Sequence, residues 1–276
     1  MKISTSLRSL LAVVIALSIM LTGCAGDGWW PSTSVTATTA APAATPPPPP
    51  PAELCGGPTT PAQSFWLSVP GGAQLYAAVV GTGPVTAVFV HQAGPGGLCG
   101  FWPYADWLAR TNGVRSLLFS QCGNGASQCP PGKAADQWLA ATTAAVTWAR
   151  ANGAGQVALV GASAGGVVAL QVAASISPPV DAVVDLSGER RWQGLDSLTA
   201  ARRLGVPALF AVAPGDSFVS VGTMRRLYQA APVRAKRLMV LAEGAGHGWE
   251  LLRGGAGSDW SPLAGTVAAW IQGRHR

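Results

Sequence analysis

The sequence predicts an α/β domain: a mostly parallel central sheet with helices on both faces and no large cap. Three observations carry this. A strand pair around Gly71-Gly72 opens the region, strand and helix patterns then alternate to the end, and the inner strands are short continuous apolar runs. With 49% hydrophobic and 11% charged residues in a chain of 276, there is ample apolar material for a core, and a highly charged disordered chain is excluded.

The elements follow in order. Ser64 to Val69 and Gln74 to Val80 read as the hairpin. Thr86 to Val90 reads as a buried strand, Trp102 to Arg110 as helix and Val114 to Ser120 as strand. Ala134 to Asn152 places Ala, Leu, Val and Trp at helical spacing and stops at Gly153. Gln156 to Val160 is strand, Ala164 to Ala174 helix and Ala182 to Leu186 strand. Leu198 to Leu204 is helix, Ala208 to Ala213 strand, Gly222 to Ala230 helix, Arg237 to Ala242 strand and Pro262 to Gln272 a closing helix. The segment Ser187 to Thr199, between the strand Ala182 to Leu186 and the next helix, is too short to fold as a separate unit.

The first 54 residues are of another kind. Lys2 and Arg8 precede an apolar stretch, Leu10 to Leu21, of about a dozen residues. A membrane span needs roughly 20, so an export signal fits better. Leu21-Thr22-Gly23-Cys24 resembles the lipobox of bacterial lipoproteins. That resemblance implies a signal peptide over residues 1–23, a lipidated Cys24 and a membrane-anchored protein of the cell envelope. Residues 24–54 then form a Thr/Ala/Pro-rich tether ending in the run Pro46 to Pro51, which favours extended polyproline II. Trp29 and Trp30 fit either a lipid–water interface or plain linker.

Setting Cys24 aside leaves Cys55, Cys99, Cys122 and Cys129, an even number in an exported chain, with three possible connectivities. Cys122 and Cys129 close a short Gly- and Asn-containing loop and are the first pair to expect, leaving Cys55 for Cys99. Widely separated His91, His247 and His275, with no CxxC, argue against a metal site. The net charge of +6 is not gathered into a basic stripe with aromatics, so no nucleic-acid partner is expected. With no phosphate loop or dinucleotide fingerprint, no cofactor is expected either.

Ligands of such sheets bind beyond the carboxyl ends of the strands, so the residues there carry the functional signal. After the strand Gln156–Val160 comes Gly161-Ala162-Ser163-Ala164-Gly165, a G-x-S-x-G between strand and helix. Such a turn strains the nucleophile's backbone, needs glycine where side chains would clash, and aims a helix N-terminus at the site. A serine hydroxyl needs a base. His247, in Gly246-His247-Gly248 past the last strand, fills that place, whereas His275 lies in the terminal tail. The histidine needs a carboxylate to orient it. Asp216 follows the strand Ala208–Ala213, with an Asx turn or a helix cap as its plainer role. Asp185, near the end of the preceding strand, is the alternative, and Asp181 and Asp196 fit less well.

The order Ser163, Asp216, His247 is the nucleophile–acid–base order of α/β hydrolases, and the domain, residues 55–276, resembles over nearly all of Phe65 to Ile271 the small cap-less members of the dienelactone-hydrolase and esterase type, which implies an open and shallow site. His91-Gln92-Ala93 is similar to the His-Gly-x oxyanion segment, and Ser120 to Ser127 to the D-x-R-G-x-G-x-S loop. Gln92 stands where that pattern has Gly, and Ser120-Gln121-Cys122 where it has Asp-x-Arg, which removes a structural charge. The resemblance implies a Ser163–His247–Asp216 triad, an oxyanion hole from the backbone N–H groups of Ala164 and Ala93 (or Gln92), a structural His91, and a small-molecule or lipid ester as substrate. Trp102, Trp192 and Trp249 lie near strand-end loops and suit either an acyl pocket or core packing. A non-catalytic envelope binding protein and a structural lipoprotein are the readings from other classes.

Overall fold

The structure, a computed structural model, describes residues 46–254 and 260–275. The expected signal peptide, the lipidation site Cys24 and Trp29 and Trp30 lie outside the described residues. Among the described residues no helix is long and apolar enough to cross a membrane.

Among the described residues ten strands form two sheets. The main strands are β1 (Ala62–Val69), β2 (Ala73–Val80), β3 (Val85–Val90), β4 (Arg115–Phe119), β5 (Gln156–Ala162), β6 (Ala182–Leu186), β9 (Ala208–Val212) and β10 (Lys236–Val240). They lie in the order β1-β2-β4-β3-β5-β6-β9-β10. Only β2 runs antiparallel to both neighbours, and every pairing from β4 to β10 is parallel. The remaining two strands, β7 (Arg191–Trp192) and β8 (Leu195–Asp196), make a separate small hairpin.

Helices cover both faces, which is why the inner strands are apolar on both sides. In β5, Val157 and Leu159 face one core and Ala158, Val160 and Ala162 the other. The first core is covered by α3 (Ala134–Ala151), α4 (Ala164–Ala173), α5 (Ser197–Ala201) and α6 (Val221–Ala230). The second is covered by α2 (Trp102–Asn112) and α7 (Pro262–Ile271), with Trp102 and Trp270 among its largest buried side chains. Helix starts follow local chemistry: Asp196 accepts the Thr199 N–H ahead of α5, and Ser220 accepts the Thr223 N–H ahead of α6.

The end of the proline run lies on the hairpin. An extended proline run has no internal hydrogen bonds, so its carbonyls are free to accept. Pro46 O accepts from Trp66 Nε1 at 2.8 Å, and Pro49 O accepts from Ser64 Oγ and Tyr76 Oη, each at 2.9 Å. A short helix, α1 (Pro51–Cys55), then delivers Cys55 to its disulfide with Cys99. The second bridge joins Cys122 and Cys129, so the four described cysteines pair as expected.

Candidate active site

Ser163 stands between the end of β5 and the start of α4 at φ 52°, ψ −122°, a strained position for a residue other than glycine. The glycines around it allow close approach. A Cβ on Gly161 would lie 2.3 Å from Gly165 O, and one on Gly165 would lie 2.1 Å from Val90 O. The first turn of α4 is thus pressed onto the end of β3, next to His91-Gln92-Ala93. Ala164 opens the helix, where the first amides have no intrahelical acceptor, and Ala93 lies on the exposed loop after β3.

His247 precedes a 3₁₀ turn, Gly248–Leu252, and Glu250 Oε2 accepts its backbone N–H at 3.0 Å. His247 Nδ1 lies 2.8 Å from Asp216 Oδ2 and 3.0 Å from Oδ1. Asp216 Oδ1 also accepts the Phe218 and Val219 amides at 2.9 and 3.2 Å. The Asx turn and the histidine contact therefore coexist in one carboxylate. Burial pushes the Asp216 pKa up, but the hydrogen bonds from His247 and the Phe218 amide outweigh it and hold the pKa below its ordinary value. An ionised Asp216 makes Nδ1 the protonated nitrogen and leaves Nε2 free to accept. Gly248, beside His247, sits against Ala162, beside Ser163: a Cβ on Gly248 would lie 3.3 Å from the Ala162 Cβ.

Among the described residues no hydrogen bond joins Ser163 to His247. Ser163 Oγ instead makes a long contact of 3.4 Å to Glu189 Oε1. Glu189 carried no signal in the sequence beyond its place three residues past the end of β6. Phe218, 69% exposed, tilts over the His247 ring at 4.6 Å and gives the cleft an apolar lip. The cleft beside Asp216, Phe218, His247 and Glu250 is small, about 220 Å³.

Asp185 is fully buried, with the Gly188 amide beside its carboxylate. It fills the space left by two glycines, since a Cβ on Gly166 or Gly188 would lie 2.3 or 2.1 Å from its Oδ1. Burial raises its pKa to about 7, and the nearby Gly188 amide offsets this only in part. Asp181 accepts the Val157 amide, and Asp196 caps α5 while pairing with Arg190 and Arg191.

His91 is buried, with Nδ1 2.7 Å from Gln92 O and Nε2 accepting the Gln121 amide at 2.8 Å. Burial lowers its pKa to about 4, which the hydrogen bond to Gln92 O only partly opposes. It ties the loop after β3 to the loop after β4. In that second loop, Ser120 Oγ accepts the Leu98 amide and Ser127 Oγ donates to Ser120 O. Neutral hydrogen bonds and the Cys122–Cys129 bridge hold the turn where the resemblance expects an Asp-x-Arg charge pair.

The three tryptophans part ways. Trp102 is core, Trp192 lies tilted against Trp138 at 4.7 Å, and Trp249 packs edge-on against Phe101 at 5.8 Å. Trp249 also occupies the space over Gly100, where a Cβ would lie 2.3 Å from its ring. Among the described residues no cluster of His, Cys, Asp and Glu could hold a metal ion.

Residues 129–255 match the dienelactone hydrolase family, a stretch that contains Ser163, Asp216 and His247. No curated protein matches the chain in sequence. Among solved structures it is similar to an esterase from Pyrococcus furiosus, at 14% identity and TM-score 0.65, over 81% of this chain and 95% of that one. It is also similar to a thermophilic esterase from Thermogutta terrifontis, at 16% identity and TM-score 0.62, over 78% of this chain and 100% of that one. A third is Est1E from Butyrivibrio proteoclasticus, solved with ferulic acid bound, at 15% identity and TM-score 0.58, over 75% and 96% of the two chains. The chain has the α/β-hydrolase fold, with a mostly parallel central sheet, flanking helices and no large cap.

Proposed function

We propose that the protein is an exported, lipid-anchored serine hydrolase that cleaves carboxylic esters or thioesters through an acyl-enzyme. The observation that carries the catalytic part is the Asp216–His247 pair, set beyond the strand ends beside a strained Ser163. In this reading Ser163 Oγ attacks the carbonyl carbon and His247 Nε2 takes its proton. Asp216 fixes the ring through Nδ1 and stabilises the imidazolium that forms. The N–H groups of Ala164 and Ala93 stabilise the oxyanion, aided by the positive end of α4. His247 then protonates the leaving group, and water, activated by the same Nε2, releases the acid. Export and anchoring rest on the Leu21-Thr22-Gly23-Cys24 motif and the two disulfides.

A non-catalytic envelope binding protein is favoured by one observation: Ser163 contacts Glu189 and makes no hydrogen bond to His247. A fluorophosphonate probe separates the two. Adduct mass on Ser163 of the full chain, lost in His247→Ala, supports the hydrolase. A folded, disulfide-intact protein that stays unlabelled overturns it.

A further inference from the structure

We propose that Glu189 is a specificity-determining residue that selects esters carrying an ammonium group near the scissile carbonyl and disfavours esters carrying an anion there. This rests on the hydrolase reading and names its substrate class. The acyl carbon must bond to Ser163 Oγ, and Glu189 Oε1 is 3.4 Å from that oxygen. A substituent that leaves the carbonyl on the Glu189 side therefore passes that carboxylate within a few atoms.

The backbone that carries the carboxylate is held in place. Ser197 Oγ donates to Glu189 O at 2.5 Å, and the Ser197 amide donates to Arg190 O at 3.1 Å. The strands β7 and β8 close the same loop, and Asp196 pairs with Arg190 and Arg191 within it. Asp196 Oδ2 engages both guanidiniums nearest to Glu189 in sequence, one carboxylate against two cations. Arg253 stacks on Trp260, while Asp216 and Glu250 flank His247. Each arginine among these is engaged by a partner. Charges a few ångströms apart at a partly screened site act strongly enough to reorder substrates.

The test is kcat/KM of the full chain on two matched series. One varies the leaving group: acetylthiocholine, 3,3-dimethylbutyl thioacetate and S-acetyl 2-mercaptoethanesulfonate. The other varies the acyl group: p-nitrophenyl esters of 4-(trimethylammonio)butyrate, 5,5-dimethylhexanoate and 4-sulfobutyrate. In at least one series we expect cation over neutral over anion, each step about fivefold at low salt and smaller at high salt. Glu189→Gln should bring the series within about twofold, and Glu189→Lys should reverse it. Labelling of each variant by a neutral fluorophosphonate shows that its site is folded. A labelled, active wild type with no charge order in either series, or an order that survives Glu189→Gln, overturns the role of Glu189 alone. A wild type that is neither labelled nor active on the neutral esters overturns the hydrolase reading and this inference with it.

Discussion

Gly165 and Val90 lie so close that a single methyl group on Gly165 would sit 2.1 Å from the Val90 carbonyl oxygen. Both partners are backbone, so no side chain can swing aside. Gly165→Ala is expected to cost about 3 kcal/mol or more, through overpacking and a displaced α4. Gly265→Ala, on the exposed side of α7 with nothing within 4 Å, should stabilise by roughly 0.5–1 kcal/mol. Urea unfolding of both variants checks the contrast, and similar values would contradict it.

The Asp216–His247 contact predicts how the two candidate acids differ. Asp216→Asn leaves Nδ1 without its carboxylate and should lower kcat by about 10³- to 10⁴-fold, as loss of the correct tautomer does in such triads. Asp185→Asn should retain activity within about tenfold, because Asp185 does not touch the histidine. Hydrolysis of a neutral p-nitrophenyl ester measures both, and the reverse order would move the triad acid to Asp185.

Two buried groups make opposing contributions to stability below neutrality. The pKa of His91 is depressed to about 4, so the unfolded chain binds the extra proton between pH 4 and about 6.5, and stability is lost as pH falls through that window. The pKa of Asp185 is raised to about 7, so the folded chain binds the extra proton between about pH 4 and 7, and stability is lost as pH rises. The two slopes have similar size and opposite sign. Asp185→Asn should therefore show stability falling with acidity from pH 6.5 to 4, and gain on the order of a few kcal/mol over the wild type at pH 8. His91→Gln should show the opposite slope between pH 4 and 6.5. Melting temperatures of the three proteins across pH 4–8 test this. Parallel curves would sink it.

The disulfides differ in the loops they close, 44 residues for Cys55–Cys99 and 7 for Cys122–Cys129. On chain-entropy grounds, replacing the first pair by serines should cost about 4 kcal/mol and the second about 2 kcal/mol. Denaturant midpoints of the two double variants check the ranking.

Most of the architecture is legible in the sequence because long, periodic or wholly apolar segments leave little choice. Ala182–Leu186 matches its strand at both ends, and the glycines of Gly161–Gly165 announce the tight turn that forms there. What is not legible depends on tertiary partners. The hairpin of β7 and β8 has two residues per strand, too few to show a period, and is held by Asp196, which in sequence reads as part of a helix. Glu189 belongs to no motif and meets Ser163 only because that hairpin folds back. The six prolines read as tether, but their carbonyls meet the donors Trp66, Ser64 and Tyr76 across the hairpin.

The course of the chain from Pro46 to Cys55 also determines how a pull from its N-terminal side would travel. The Cys55–Cys99 bond carries load directly from α1 to the turn ahead of α2. β1, β2 and β3 lie inside the bypassed loop, so the covalent path of the load skips them once the proline contacts let go. A domain stretched from that side would keep its edge hairpin slack, and about 150 Å of contour length would stay hidden until the bond was reduced.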